Sequence, residues 1–323
     1  DMARREAASR EQGSASMPER IGDFRIVRQL GRGGMGIVYE AEQQSLGRRV
    51  AVKVLPKHAL LLDRHLKRFQ REAQTTARLH HTNIVPVFGS GEQDGLHYYV
   101  MPLVRGVGLD EVIRRLRSIA EESAEGTTGA STSGTSAADL RELVHGLIAE
   151  KFPPTAHVAG EDRSEGQPAA RTAREPGVER WQMVAHVGVQ AAEALAYAHG
   201  QGTLHRDVKP GNLLVDETGL VLVADFGLAR AVDESDVSRT GEVVGTLRYM
   251  APEQALAKRT VDHRADIYSL GVTLYELITL QPAYRADDRQ KLLKQIAFEQ
   301  PTSLRRLDRD APTELETIIV KAM

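Results

Sequence analysis

The chain has 323 residues, 41% of them hydrophobic, a net charge of −2 and no cysteine. That length allows one large domain or two modest ones, the apolar content is enough to form a core, and the near-neutral charge argues against nucleic acid or an anionic membrane as the main partner. The absence of cysteine excludes disulfides, thiolate metal sites and a cysteine nucleophile.

No run approaches the roughly 18 apolar residues needed to span a bilayer. The start, DMARREAASREQGSASMPER, is charged throughout and is not a signal peptide. We therefore expect a cytoplasmic chain with no membrane segment of its own. It opens on Asp1 and stops at IIVKAM, inside an apolar helical pattern, which reads as a fragment cut at both ends.

Taken in order, residues 1–21 are polar and predicted to be disordered. From Phe24 to Val54 the stretches DFRIVRQLG, GIVYEAEQ and RRVAVKVL alternate and are rich in β-branched residues, which predicts three short strands separated by turns. Residues 61–79 change to a charged helical pattern, and NIVPVFGSGEQDGLHYYVMPLV returns to strands around an EQDG turn. Beyond residue 105 the chain becomes mainly helical, interrupted by a Ser/Thr/Gly-rich tract and by a stretch rich in proline, glycine and charge. Residues 117–177 are read as a largely disordered surface insertion, in which AADLRELVHGLIAEKF can make one short amphipathic helix. Val184, Val187, Ala191, Leu195 and Ala198 then mark the apolar face of a helix.

Four stretches carry chemistry. GRGGMG at 31–36 has the form GxGxxG but is followed by the strand-like IVYEAE, so it joins two antiparallel strands and does not open a helix as a dinucleotide-binding loop does. Its backbone N–H groups can fold over phosphates. Lys53, in VAVK, points either into a cleft or out to water, and lysines are rarely buried. Glu72, on the following charged helix, could pair with it. HRDVKPGN at 205–212 sets Asp207, Lys209 and Asn212 close together, as a phosphate-handling loop or a charged surface turn would. In ADFGLAR, Asp225 ends an apolar strand; it is either a turn aspartate or an oxygen ligand for a divalent cation, with Asn212 as a second. Asp207 offers a carboxylate that can accept a proton.

In order and spacing, GRGGMGIV, VAVK, a helix glutamate, HRDVKPGN, DFG and APE (251–253) resemble a eukaryotic-type protein kinase, closest to the bacterial serine/threonine kinases, over about residues 22–323 apart from the insertion. The resemblance implies an α+β, two-lobed fold, with a small antiparallel β lobe carrying one helix at 22–104 and a larger, mostly α lobe at 105–323, ATP between them and Mg2+ as the cation. It implies that Lys53 holds the α- and β-phosphates, that Glu72 orients Lys53, and that the backbone of Gly31, Gly33, Gly34 and Gly36 covers the phosphates. Leu30, Val38 and Ala51 would roof the adenine and Leu214 would floor it. Met101 falls at the gatekeeper position, Pro102 supplies only a carbonyl, and the Val104 backbone pairs with the base. Asn212 and Asp225 would hold magnesium. Asp207 would take the substrate proton, with Lys209 balancing charge at the transferring phosphoryl.

Lys209 and Thr246 match the serine/threonine-directed pattern, so the implied substrates are protein Ser/Thr hydroxyls. Asp266 resembles the helix aspartate that braces the catalytic loop. Arg206 and Arg230 would form a phosphate pocket for a phosphorylated activation loop, with Ser238 and Thr240 as the modified residues; self-association for autophosphorylation is an implied partner. A pseudokinase or a small-molecule kinase is the rival reading. The first is disfavoured by the full set of Lys53, Glu72, Asp207, Asn212 and Asp225, the second by APE and the long activation segment. In the family Glu253 pairs with an arginine that lies past KAM.

Overall fold

A computed structural model describes residues 17–33, 36–55, 63–126, 137–152, 176–226, 245, 247–256, 260–286 and 288–323. These residues divide into two compact units, one of residues up to 77 together with 86–103, the other of 78–85 and 104–323.

The first unit is a six-stranded antiparallel sheet in the order β1-β2-β3-β4-β6-β5. Its strands are β1 (Arg20–Ile21), β2 (Phe24–Gly33), β3 (Gly36–Gln43), β4 (Arg48–Val54), β5 (Gly89–Gln93) and β6 (Leu96–Pro102). The three strands expected between Phe24 and Val54 are β2, β3 and β4. The EQDG turn is a two-residue hairpin with Asp94 at φ 51° and Gly95 at φ 73°, the left-handed pair that matches the twist of the flanking strands. Period-two alternation assigns the faces of β4. Val50, Val52 and Val54 pack with Ile21, Phe24, Ile26, Tyr39, Ala41 and Val100 in one core, so Ala51 and Lys53 fall on the other face. Helix α1 (Asp63–Thr76) covers that other face: Phe69 and Ala73 join Leu55 and Tyr99 in a second cluster.

The second unit is mostly helical. A small sheet, β7 (Gly106–Gly108), β8 (Leu213–Asp216) and β9 (Val221–Val223), runs antiparallel in that order. Helices α2 (Leu109–Gly126), α3 (Ala137–Lys151), α4 (Pro176–Gly200), α5 (Pro252–Ala255), α6 (Arg264–Thr279), α7 (Arg289–Phe298), α8 (Leu304–Leu307) and α9 (Thr313–Ala322) complete it. The expected apolar face of α4 is buried at Val184, Val187, Ala191, Leu195 and Ala198. Helix α6 is buried on nearly all sides, polar residues included, which makes it the element the others are built around.

The segment 117–177 differs in part from a disordered insertion. Residues 117–126 continue α2, and the short helix expected at AADLRELVHGLIAEKF is α3. Val144 and Ile148 on α3, and Phe152 just beyond it, are buried, because α3 packs on α4, β7 and β8. Low apolar content across the segment hides one strip of apolar residues at helical spacing. Residues 127–136 and 153–175 lie outside the described residues, as do 1–16.

Candidate active site

In the first unit the glycine loop is the end of the β2–β3 hairpin, where Gly33 faces Gly36, Arg32 faces Ile37 and Gly31 faces Val38. Gly36 has φ 152°, and a Cβ there would stand 2.6 Å from the Val54 carbonyl oxygen. Only glycine lets β3 begin this close to the end of β4. A Cβ on Gly31 or Gly33 meets nothing within 4 Å, so those two backbones have open space over them. Gly34 lies outside the described residues.

Cross-strand pairing sets Val38 opposite Lys53, and Ala51 and Lys53 opposite Met101 and Tyr99. Lys53 is 4% exposed, which selects the buried alternative over the solvated one. Its Nζ stands 5.6 Å from the centre of the Tyr99 ring, within cation–π range, and Tyr99 is held in turn by Phe69, ring centres 5.1 Å apart. Glu72 falls within α1, but its side chain lies outside the described residues. Leu30, Val38, Met101 and Pro102 are half-buried on β2, β3 and β6. Val104 belongs to the second unit.

In the second unit one turn brings three of the expected residues together. Lys209 Nζ donates to Asp207 Oδ2 at 2.7 Å, and Asn212 Nδ2 donates to the same oxygen at 3.1 Å and to the Asp207 carbonyl at 2.8 Å. Pro210 starts the 3-10 turn Pro210–Asn212 that closes the loop, where its missing N–H is not needed. Asp207 Oδ1 has no hydrogen-bond donor among the described residues.

The loop is fixed from below by Asp266, 1% exposed on α6. Its Oδ2 accepts the His205 N–H at 2.8 Å, its Oδ1 accepts the Arg206 N–H at 2.6 Å, and His199 Nε2 stands 2.8 Å from Oδ2. Burial works against the charge of this carboxylate, yet the His199 hydrogen bond and the two backbone donors outweigh it. The net effect holds its pKa below the ordinary value.

His205, fully buried, ties the loop to the irregular segment that follows β9. Its Nδ1 accepts the Asp207 N–H at 3.2 Å, so Nε2 carries the hydrogen and donates to the Ala224 carbonyl at 3.0 Å. Ala224 N in turn donates to the Asn212 carbonyl at 2.9 Å. Asp225, at φ 62°, therefore emerges beside Asn212, and the buried Phe226 ring stacks on His205 at 4.6 Å. The Asn212 amide turns its nitrogen to Asp207, leaving its oxygen for a cation. An amide oxygen and a carboxylate on neighbouring backbones are hard donors and fit Mg2+. Leu214 is half-buried on β8, opposite Leu222 and Gly108.

Thr246, Ser238, Thr240 and Arg230 lie outside the described residues. Arg206 is half-buried at φ 68°. Glu253 is half-buried and has no ion pair among the described residues.

Sequence reading missed three contributors. His199, which donates to Asp266, is 67 residues from it, and no local spacing links them. Glu276 on α6 is the second; it accepts from Arg117 Nη2 and from the Tyr249 hydroxyl, both at 2.5 Å. Burial first, then the negative charge of Glu276, pushes the Tyr249 pKa upward. Gln190 is the third. Its Oε1 accepts from Asn83 Nδ2 and from Val221 N, both at 2.9 Å, and its Nε2 donates to the Gly219 carbonyl at 3.2 Å.

The family described as protein tyrosine and serine/threonine kinase matches residues 24–323. Among curated proteins, the chain is 32% identical to the probable serine/threonine-protein kinase PknB of Bifidobacterium longum, covering 96% of this chain and 38% of that protein. It is 30% identical to the serine/threonine-protein kinase PrkC of Bacillus subtilis (93% and 37%) and 35% identical to PknA of Mycobacterium tuberculosis (82% and 49%). The chain thus spans between about a third and a half of the length of the curated relatives it matches. The crystal structure of the Mycobacterium tuberculosis PknI kinase domain superposes with a TM-score of 0.56 at 26% identity, covering 95% of this chain and 90% of that one. With a buried strand lysine in one unit, an Asp–Lys–Asn loop braced from a buried helix in the other, and a family match over nearly the whole chain, this chain belongs to the protein kinase family.

Proposed function

We propose that this chain is an ATP-dependent serine/threonine protein kinase domain. The observation that carries the reading is the state of Asp207: Oδ2 is engaged by Lys209 and Asn212 while Oδ1 has no donor among the described residues. A carboxylate held by one oxygen and open at the other is suited to accept a proton from a hydroxyl. In the step we assign, a Ser or Thr hydroxyl oxygen forms a bond to the γ-phosphorus of ATP. The bond to the β,γ-bridging oxygen breaks, ADP leaves with the electron pair, and the hydroxyl proton passes to Asp207. Lys209 offsets the negative charge around the transfer. Lys53, positioned by its strand and by Tyr99, is assigned to the ATP phosphates, and the open backbone at Gly31 and Gly33 to the phosphate cover. Asn212 and Asp225 would hold Mg2+, which when bound neutralises phosphate charge.

The serine/threonine assignment rests on Lys209 and Thr246 in the sequence and on the names of the curated relatives. We further assign control to phosphorylation at Ser238 or Thr240, read by Arg206 and Arg230, and protein substrates together with a second copy of the chain as partners. No helix of the described residues is long and apolar enough to cross a membrane, and we place the domain's action in the cytoplasm.

Transfer of labelled phosphate from ATP to a generic protein substrate tests the reading, with acid hydrolysis identifying the modified residue. Asp207→Asn should bind Mg-ATP as the parent does but transfer about 10²–10⁴-fold more slowly. Near-normal transfer by that variant, or label on tyrosine alone, would overturn it.

A further inference from the structure

The second unit has a cavity of about 440 Å³ that the kinase reaction does not use. Four helices and a turn wall it: α2, the inserted helix α3, α4, α6 at Leu277, and the β8–β9 turn. Its floor is aliphatic. Leu109, Val112, Val144, Val187, Val215 and Leu277 line it, and all six are buried. The volume lies within the range of small-molecule sites, which combine such a floor with a few polar groups at the rim.

The walls are set before any ligand arrives. Gln190 on α4 holds the turn through the Gly219 carbonyl and the Val221 N–H. Asp216 Oδ1 accepts from Thr218 N at 2.8 Å, Thr218 Oγ1 at 2.7 Å and Leu220 N at 2.9 Å. Those donors are uncharged, so they shape the turn without neutralising the carboxylate.

Among the described residues the acidic side chains on the rim stand without a basic one. Asp216 and the exposed Glu217 stand side by side on it, and neither has an ion-pair partner among the described residues. Among the described residues no lysine or arginine lines the cavity; the other rim groups are the side chains of His145, His186 and Gln182 and the Thr218 hydroxyl. An aliphatic floor under an unpaired acidic edge selects a compact hydrocarbon body that ends in a cation.

We propose that this cavity is a binding site for small arylalkyl or alkyl amines, formed by the packing of α3 against α4 and the β8–β9 turn, and independent of the residues assigned to ATP.

Ligand-observed NMR titration tests this, on the chain kept saturated with Mg2+ and a non-hydrolysable ATP analogue. The probes are 4-phenylbutylamine, 4-phenylbutanol and 4-phenylbutyrate. All three are titrated in one buffer near neutral pH, where the amine is a cation and the carboxylate an anion. The amine should saturate with a dissociation constant on the order of 1 mM or tighter, a reach typical of so small a ligand. The carboxylate should bind roughly tenfold more weakly or not at all, as like charges a few ångströms apart would dictate.

Glu217→Lys, on an exposed side chain, should reverse that preference without disturbing the fold. Met183→Trp should fill the cavity and abolish binding of all three probes. Equal binding of amine and carboxylate, no saturation by the amine, or an unchanged preference in Glu217→Lys would each overturn the proposal.

Discussion

The Oδ1 atom of Asp266 accepts the backbone N–H of Arg206 at 2.6 Å, and Arg206 itself sits at φ 68°. A non-glycine residue in the left-handed region costs about 1–2 kcal/mol, so the helix carboxylate stabilises a backbone conformation that the loop would not hold alone. That conformation aims the next residue, Asp207, whose own N–H is taken by His205.

Asp266→Ala should therefore cost stability and turnover together. It strands the buried His205 N–H and the half-buried Arg206 N–H, a loss of about 3 kcal/mol. The pH dependence separates this from a general packing defect. Folding lowers the Asp266 pKa below its ordinary 3.8, so the unfolded chain takes up the proton first. The contribution is complete above that value and fades as pH falls below it towards the folded pKa. Urea unfolding of parent and variant from pH 6 down to pH 3 should show the gap between them narrowing only at the acid end. A gap constant across the range would assign the loss to packing.

At Gly36 the constraint is steric. Gly36→Ala forces a Cβ to 2.6 Å from the Val54 carbonyl oxygen at φ 152°, and one of the two strands must shift. The cost should be about 1–3 kcal/mol. Gly33→Ala meets nothing and should change stability by no more than about 0.5 kcal/mol. Thermal midpoints of the two variants decide it; equal midpoints would mean that the hairpin relaxes freely.

These two sites show what a sequence discloses and what it does not. The alternation of VAVK separates the face of Val52 and Val54 from that of Lys53, and the glycine spacing marks the hairpin. Both are properties of a few consecutive residues. Lys53 was legible as a strand residue but its burial was not, because burial depends on α1 and on the Tyr99 ring across the sheet. His199 was invisible for a related reason: its partner Asp266 is brought to it by the packing of α4 on α6. The helix α3 lies between these cases. Its pattern can be read in AADLRELVHGLIAEKF, but its docking cannot be read from the polar tracts on either side.

Asn212 joins the loop to the cation. Its nitrogen serves Asp207 and its oxygen is the donor we assign to Mg2+. Asn212→Ala should raise the Mg2+ concentration needed for half-maximal transfer by about tenfold or more, the usual effect of losing a group that orders a metal site. Added Mg2+ should restore only part of the rate, since Asp207 also loses a hydrogen bond. Complete rescue by Mg2+ would confine Asn212 to the cation, and an unchanged requirement would remove it from the cation site.

The inserted helix gives the last expectation. Composition alone makes the stretch 117–177 look dispensable, whereas Ile148 is 5% exposed and Val144 6%. If α3 were a loose appendage, shortening these side chains would cost nothing. Packed as it is on α4, β7 and β8, α3 should behave as core. Ile148→Ala removes buried methylene groups and should destabilise the second unit by about 2–4 kcal/mol, while Glu150→Ala, on the exposed face, should stay within about 0.5 kcal/mol of the parent. Deleting 137–152 should destabilise more than either, because it also uncovers Val112 and Val187 in the floor of the cavity. Denaturant midpoints of the three variants, each with and without Mg-ATP, read this directly. A stability unchanged in Ile148→Ala would mean that α3 does not dock in solution, and the cavity would then have lost its outer wall.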